Sequence, residues 1–177
     1  MNQIAVISLN GIVAGEAART GGLELDEAIV SYVRRRFGMI IGVPTAEILK
    51  IKIGAATPQE IQLSMEVQGQ DQVTSLPRPV VLTTDDIVEA IQEPLNDLIK
   101  TAKKVMEKTP PELVSDIIDR GAAICGGGSL LRSIDKFLTQ SIGIPVYMVD
   151  NPLTCTAEGA VKALKLKDAL RRSLAYG

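Results

Sequence analysis

Three consecutive glycines, Gly126-Gly127-Gly128, follow the short apolar run Ala122 to Cys125, and Ser129 stands next, where a helix N-cap belongs. Glycines at a strand-to-helix turn let the backbone approach a ligand closely. The start of a helix adds unpaired N–H groups and a partial positive charge, which favour an anion such as a nucleotide phosphate. The same residues also suit a tight turn that binds nothing. No Gly-Lys-Ser/Thr follows at the offset of a P-loop, and the third glycine of a dinucleotide fingerprint falls on Leu131. A second pair, Glu47 and Lys50, sits three residues apart on an expected helix and so shares one face. A solvated surface pair is the plain alternative for it.

Absent residue types narrow the chemistry. There is no histidine, which removes His-based general base catalysis, the usual triads and most zinc sites. No carboxylates are arranged as paired acids around a scissile bond. Cys125 and Cys155 match no metal-ligand spacing and read as reduced, buried thiols of a cytosolic protein.

The elements that must hold these residues follow from periodicity. Ile4 to Leu9 and Ile12 to Ala18 flank Asn10-Gly11, a strong hairpin signal. Leu25, Ala28, Ile29, Tyr32, Val33 and Phe37 recur at helical spacing, with Glu24, Asp26, Glu27, Arg34 and Arg35 on the opposite face and Gly38 as a stop. Thr45 is expected to cap a shorter helix that runs to about Ile53. Alternation from Ile61 to Gln68 predicts a half-buried strand, with Pro77 to Leu82 as its edge partner. Thr83-Thr84-Asp85-Asp86 opens the longest helix, and Pro94 is expected to bend it. A short helix over Glu112 to Ile118 precedes the glycine turn. After it come a helix from Ser129 to about Gln140, a strand from Ile144 to Val149, and a last helix capped by Thr154 or Thr156. The tail, Lys165 to Gly177, mixes basic residues with leucines.

The chain has 177 residues, enough for one ordinary domain or two small lobes. Its net charge of −2 argues against nucleic-acid binding through bulk charge, and 3% aromatic content argues against base stacking. No apolar run approaches a membrane span, and no signal peptide is recognisable. Because Met1-Asn2-Gln3 leads directly into a strand, a fragment or one half of a larger fold is expected. From the residues alone, the chain is a mixed α/β lobe carrying an inserted sub-lobe and one anion or nucleotide contact.

One order of motifs goes further. Leu9-Asn10-Gly11, Gly21-Gly22, Asp26-Glu27-Ala28-Ile29, Tyr32-Val33-Arg34-Arg35, Thr45-Ala46-Glu47, Pro110-Pro111-Glu112-Leu113, Gly126-Gly127-Gly128 and Pro152-Leu153-Thr154 occur in sequence. In this order they resemble the C-terminal half of MreB, the bacterial actin-like cell-shape family, as far as about Leu164. The resemblance implies an actin-like (ribonuclease-H-like) lobe with mixed sheet and helices. Residues 1–21 and 82–177 would form a large subdomain, and residues 22–81 a small inserted α+β subdomain. It also implies ATP or GTP with magnesium in a cleft between two lobes. Glu47, Ile48, Leu49 and Lys50 would reach adenine and ribose, and Gly126, Gly127, Gly128, Ser129 and Leu130 would form the adenosine-binding turn.

The resemblance further implies cytoplasmic, membrane-associated filaments of self-assembled protomers that determine cell shape. The partners it implies are the N-terminal lobe and a membrane-anchored protein such as RodZ, with no direct membrane contact from this lobe. Two positions depart from the family pattern: Cys125 stands where Thr is usual, and Val43 stands where an acid is usual. The family's second phosphate loop would fall immediately before Asn2, and the first lobe carries the other phosphate loop and the acid that orients water. This chain alone is therefore expected to bind ATP weakly at most, to hydrolyse none, and to hold no tightly bound cofactor. The alternatives are a lobe of a sugar kinase or chaperone ATPase, or an interaction module that has lost its nucleotide. The kinase or chaperone reading would need an acceptor pocket and a catalytic Asp, and neither pattern is found.

Overall fold

The structure is a computed structural model that describes residues 1–8 and 11–165. Leu9, Asn10 and the tail beyond Lys165 lie outside the described residues, as do the expected Asn10 turn position and most of the basic tail. The chain is α/β, with three small sheets set among helices. Strands β1 (Asn2–Ser8) and β2 (Gly11–Ala18) pair antiparallel, in register from Asn2↔Ala18 to Ser8↔Gly11 with an irregularity at Val6/Ile7. Helix α1 (Gly22–Phe37) follows and is closed by Gly38 at φ 64°, a left-handed end that glycine adopts without strain. Strand β3 (Met39–Ile40) leads to helix α2 (Val43–Ile53). Strands β4 (Ser64–Asp71) and β5 (Pro77–Thr83) then complete a three-stranded antiparallel sheet of order β3-β4-β5.

Helix α3 (Thr84–Glu107) is the spine. Thr83 and Asp86 cap its start reciprocally: the Thr83 N–H donates to Asp86 Oδ2 at 2.8 Å, and the Asp86 N–H donates to Thr83 Oγ1. The helix runs through Pro94 without a break. Helix α4 (Pro111–Arg120), strand β6 (Ala122–Ile124), a 3₁₀ turn (Gly127–Leu130), helix α5 (Ile134–Ile142), strand β7 (Val146–Met148) and helix α6 (Cys155–Lys165) complete the order. Strands β6 and β7 are parallel, with α5 as the crossover between them.

One apolar core joins these elements. Ile29 and Val33 of α1, Leu49 of α2, Leu82 of β5, Ile87 and Ile91 of α3, and Leu138 of α5 belong to a single buried cluster. The Tyr32 hydroxyl fastens α1 to α3 by donating to Glu89 Oε2 at 2.7 Å, with Asp86 Oδ1 at 3.2 Å. Burial first, and then these two carboxylates, push the Tyr32 phenol well above its ordinary pKa.

Several boundaries differ from the sequence expectations. Helix α2 is capped by Gly42 rather than Thr45, because Pro44 fits a first turn that needs no N–H there. Strand β4 starts at Ser64, not Ile61, since its partner ends at Thr83 and the register Ser64↔Thr83 closes the ladder. Ile61 is 77% exposed. The helix expected from Ser129 is a 3₁₀ turn, and the α-helix begins only at Ile134.

Two first-turn and loop carboxylates are held by backbone donors. The carboxyl of Glu24 is lowered in pKa by its own backbone N–H and then by the Gly21 N–H, which donates to it at 2.8 Å, and that of Asp71 by the Thr74 and then the Val73 N–H. A folded-state pKa below the unfolded value gives stability that is full above the unfolded pKa and is lost as pH falls through the folded one. Melting temperature is therefore expected to hold from pH 7 to about 5 and to fall below the ordinary values of 4.5 for Glu and 3.8 for Asp. Thermal melts across this range check it, and Asp71→Asn should flatten part of the acid limb.

Candidate functional site

The chain just past α2 meets the chain just past the glycine turn. Gly54 closes that helix, and its carbonyl accepts from Arg132 Nε at 2.9 Å. The next residues continue the contact. Ala55 bridges Arg132 in parallel fashion, and the Ala56 N–H donates to Arg132 O at 2.8 Å. Arg132 lies two residues past the 3₁₀ turn, so a single residue fixes the glycine turn relative to α2. A guanidinium at a helix C-terminus also complements the negative end of the dipole. Arg132 Nη2 is buried without a hydrogen-bond partner among the described residues.

On α2 the four predicted residues split by helical geometry. Glu47 and Ile48 are exposed, Ile48 by 44%, whereas Leu49 is fully buried in the core. The Leu49 side chain thus faces away from any ligand on the surface of α2. Lys50 is half-buried and does not pair with Glu47. Its Nζ lies 2.7 Å from Asp26 Oδ1, off the line of a well-angled hydrogen bond, and donates to Gly22 O at 3.1 Å. The Lys50 and Asp26 side chains are only 14% and 6% exposed. The pattern of α1 placed Asp26 on the wet face; the structure buries it, because a carboxylate can leave water when a cation meets it. The pair leaves Lys50 with one further N–H to offer.

In the glycine turn, Gly126 takes φ 87°, a conformation that favours glycine, and its N–H donates to Pro152 O at 2.7 Å. Ser129 is buried and is not a helix cap. Its hydroxyl donates back to Gly126 O at 2.7 Å, which tightens the turn. Gly127, Gly128 and Leu130 are exposed, and a Cβ added at Gly128 would meet nothing within 4 Å. The N–H groups of Gly127 and Gly128 head the turn, where no intrahelical acceptor exists. The turn offers backbone donors, and α2 offers an ammonium N–H and a carboxylate, groups of the kind that bond hydroxyls and ring nitrogens. Among the described residues no group of three or more His, Cys, Asp or Glu side chains is placed to hold a metal ion.

Sequence reasoning missed Asp26, Arg132 and the environment of the cysteines. Cys125 is exposed and Cys155 partly buried, not both buried as expected, and both are free. A groove of about 430 Å³ between α1 and α3, lined by Arg19, Thr20, Glu24, Arg35, Glu93 and Asp97 among others, contains none of the predicted residues.

The fold and this junction define an actin-like lobe. The described chain superposes on the MamK double helical filament with a TM-score of 0.73 at 17% identity, covering 85% of this chain and 46% of that one. The MreB/Mbl protein family model matches residues 1–172, and the chain belongs to that actin-like cell-shape family. It is 45% identical over 166 residues to the cell shape-determining protein MreB of Escherichia coli K12, covering 94% of this chain and 48% of the relative. The crystal structure of MreB5 of Spiroplasma citri bound to AMPPNP matches with a TM-score of 0.89 at 29% identity, over 96% of this chain and 51% of that one. The chain spans about half the length of the curated relatives it matches. Among the described residues no helix is long and apolar enough to cross a membrane.

Proposed function

We propose that this chain is the nucleoside-facing lobe of a nucleotide-gated filament protein. In the intact protein, ATP or GTP with magnesium lies between this lobe and an N-terminal one. Protomers assemble into cytoplasmic filaments under the membrane, and the filaments direct cell shape. Residues 1–21 and 82–177 act as the large subdomain and residues 22–81 as the inserted small one. Glu47 and Lys50 contact ribose and base from α2, Ile48 adds apolar surface, and Gly126 to Leu130 close over the adenosine. The partners are a second protomer, the other lobe and a membrane-anchored protein such as RodZ, with neither nucleic acid nor lipid met directly.

One observation carries this reading: Arg132, two residues past the glycine turn, bonds Gly54 and Ala56 just past α2, so the chain that follows each of the two expected contact segments runs beside the other. Likeness to an AMPPNP-bound relative over 96% of the chain supports it. The residues assigned here contact base and sugar, so the affinity of this chain alone for ATP is expected to be weak and its hydrolysis nil.

Amide spectra of the labelled chain, titrated with ATP and with adenosine, test the site. Shifts confined to Glu47, Lys50 and Gly126 to Leu130, with a millimolar midpoint for both ligands, are expected. Low-micromolar ATP affinity or measurable turnover overturns the half-site reading. Sedimentation of the two-lobed parent with and without ATP tests assembly, and nucleotide-dependent pelleting without a sugar substrate is expected.

A further inference from the structure

Strands β6 and β7 run parallel, and beyond them the segments that carry the two cysteines continue side by side. The Val149 N–H donates to Ile124 O at 3.2 Å and the Gly126 N–H to Pro152 O at 2.7 Å. A Cβ on Gly127 would come within 3.8 Å of Leu153. Cys155 opens α6, with its thiol donating to Pro152 O at 3.5 Å, the same carbonyl that receives the Gly126 N–H. Cys125 immediately precedes Gly126, so the backbone beside one cysteine and the thiol of the other meet at one carbonyl, and the side chain that most perturbs Cys125 is Cys155 itself. Cys155, and after it burial, pushes the Cys125 thiol above its ordinary pKa.

We infer that Cys125 and Cys155 form a redox-closable dithiol at the root of the glycine turn, with a peroxide as the oxidant. Exposed Cys125 is the thiol that a peroxide reaches; half-buried Cys155 resolves the product. The Cys125 thiolate attacks one peroxide oxygen, the O–O bond breaks, and one water leaves with a sulfenic acid on Cys125. Cys155 Sγ then attacks that sulfur, its proton and the hydroxyl leave as a second water, and the Sγ–Sγ bond forms. Two thiols are thereby oxidised by two electrons and the peroxide is reduced to two waters. A disulfide here clamps the start of α6 to the glycine turn. Its effect on nucleotide rests on the function proposed above; its formation does not.

The reduced chain is treated with stoichiometric hydrogen peroxide, digested with trypsin without reductant and weighed. The expected product is monomeric, lighter by two hydrogens, with peptide 121–132 joined to peptide 137–162 and separated again by dithiothreitol. The rate of closure should still be climbing at pH 9, because the raised Cys125 pKa keeps its thiolate scarce at neutral pH. Cys125→Ser should abolish the cross-link and leave Cys155 as a thiol at peroxide doses that close the wild type. Stable sulfinic acid on Cys125 with Cys155 still free, or dimers linked through Cys125 alone, overturns the dithiol. If the cross-link forms and ATP-induced amide shifts are equal in both redox states, the dithiol stands and its control of the nucleotide site fails. An absence of ATP shifts in either state instead counts against the nucleotide reading.

Discussion

Gly121→Ala is expected to destabilise the chain by about 3 kcal/mol or more, combining a backbone conformation that is nearly glycine-only with a steric clash. Gly121 ends α4 and enters β6 at φ 80° and ψ −176°. A Cβ there would stand 2.5 Å from the carbonyl oxygen of Pro145 and 3.2 Å from its Cβ. Neither neighbour yields cheaply. That carbonyl accepts the Ala122 N–H at 2.8 Å, just outside the β6–β7 ladder. Moving Pro145 would therefore pull the strand pairing that aims the chain into the glycine turn. Urea unfolding of wild type and variant measures the loss as a lower midpoint. Gly128→Ala is the internal control: an added Cβ meets nothing within 4 Å, and about 1 kcal/mol or less is expected. Equal costs at the two positions would show that the Pro145 contact is not what demands glycine.

Legibility in the sequence followed the range of the interaction that decides each feature. Helices α1 and α3 were readable because their apolar stripes recur at helical spacing and because Gly38 and the Thr83–Asp86 pair end and begin them locally. The family was readable because many short motifs kept their order. Ser129 misled because a hydroxyl before an apolar run fits two geometries. Only the fold decides that it donates to Gly126 O rather than accepting from a helix N–H. Asp26 misled for a related reason: its spacing put it opposite the apolar stripe, and its partner Lys50 comes from another helix. Arg132 gave no local signal, since its contacts at Gly54, Ala55 and Ala56 are made with a segment far away in the sequence. The approach of the two cysteines follows from parallel pairing of β6 with β7, which spacing along the chain does not reveal.

Leu49→Ala should cost about 2–5 kcal/mol, the range for removing buried leucine side chains, whereas Ile48→Ala should stay within about 0.5 kcal/mol. The residues are adjacent, and resemblance assigns both to the same ligand-facing segment. Their surroundings differ completely: Leu49 is 0% exposed and Ile48 44%. Removing the Leu49 side chain leaves a void between α2 and the core it shares with Ile29 and Leu82, while alanine at Ile48 removes surface already in water. Denaturant midpoints at unchanged slope measure both. Function gives a second discrimination. Leu49 fixes the height of α2 over the core, and Asp26 fixes the Lys50 ammonium at its edge. Any loss of nucleotide response in Leu49→Ala should therefore track the fraction unfolded and vanish under conditions that refold the variant. A loss that persists in the fully folded variant would mean that α2 has shifted within the native state, so that Leu49 positions Glu47 and Lys50 as well as packing the core.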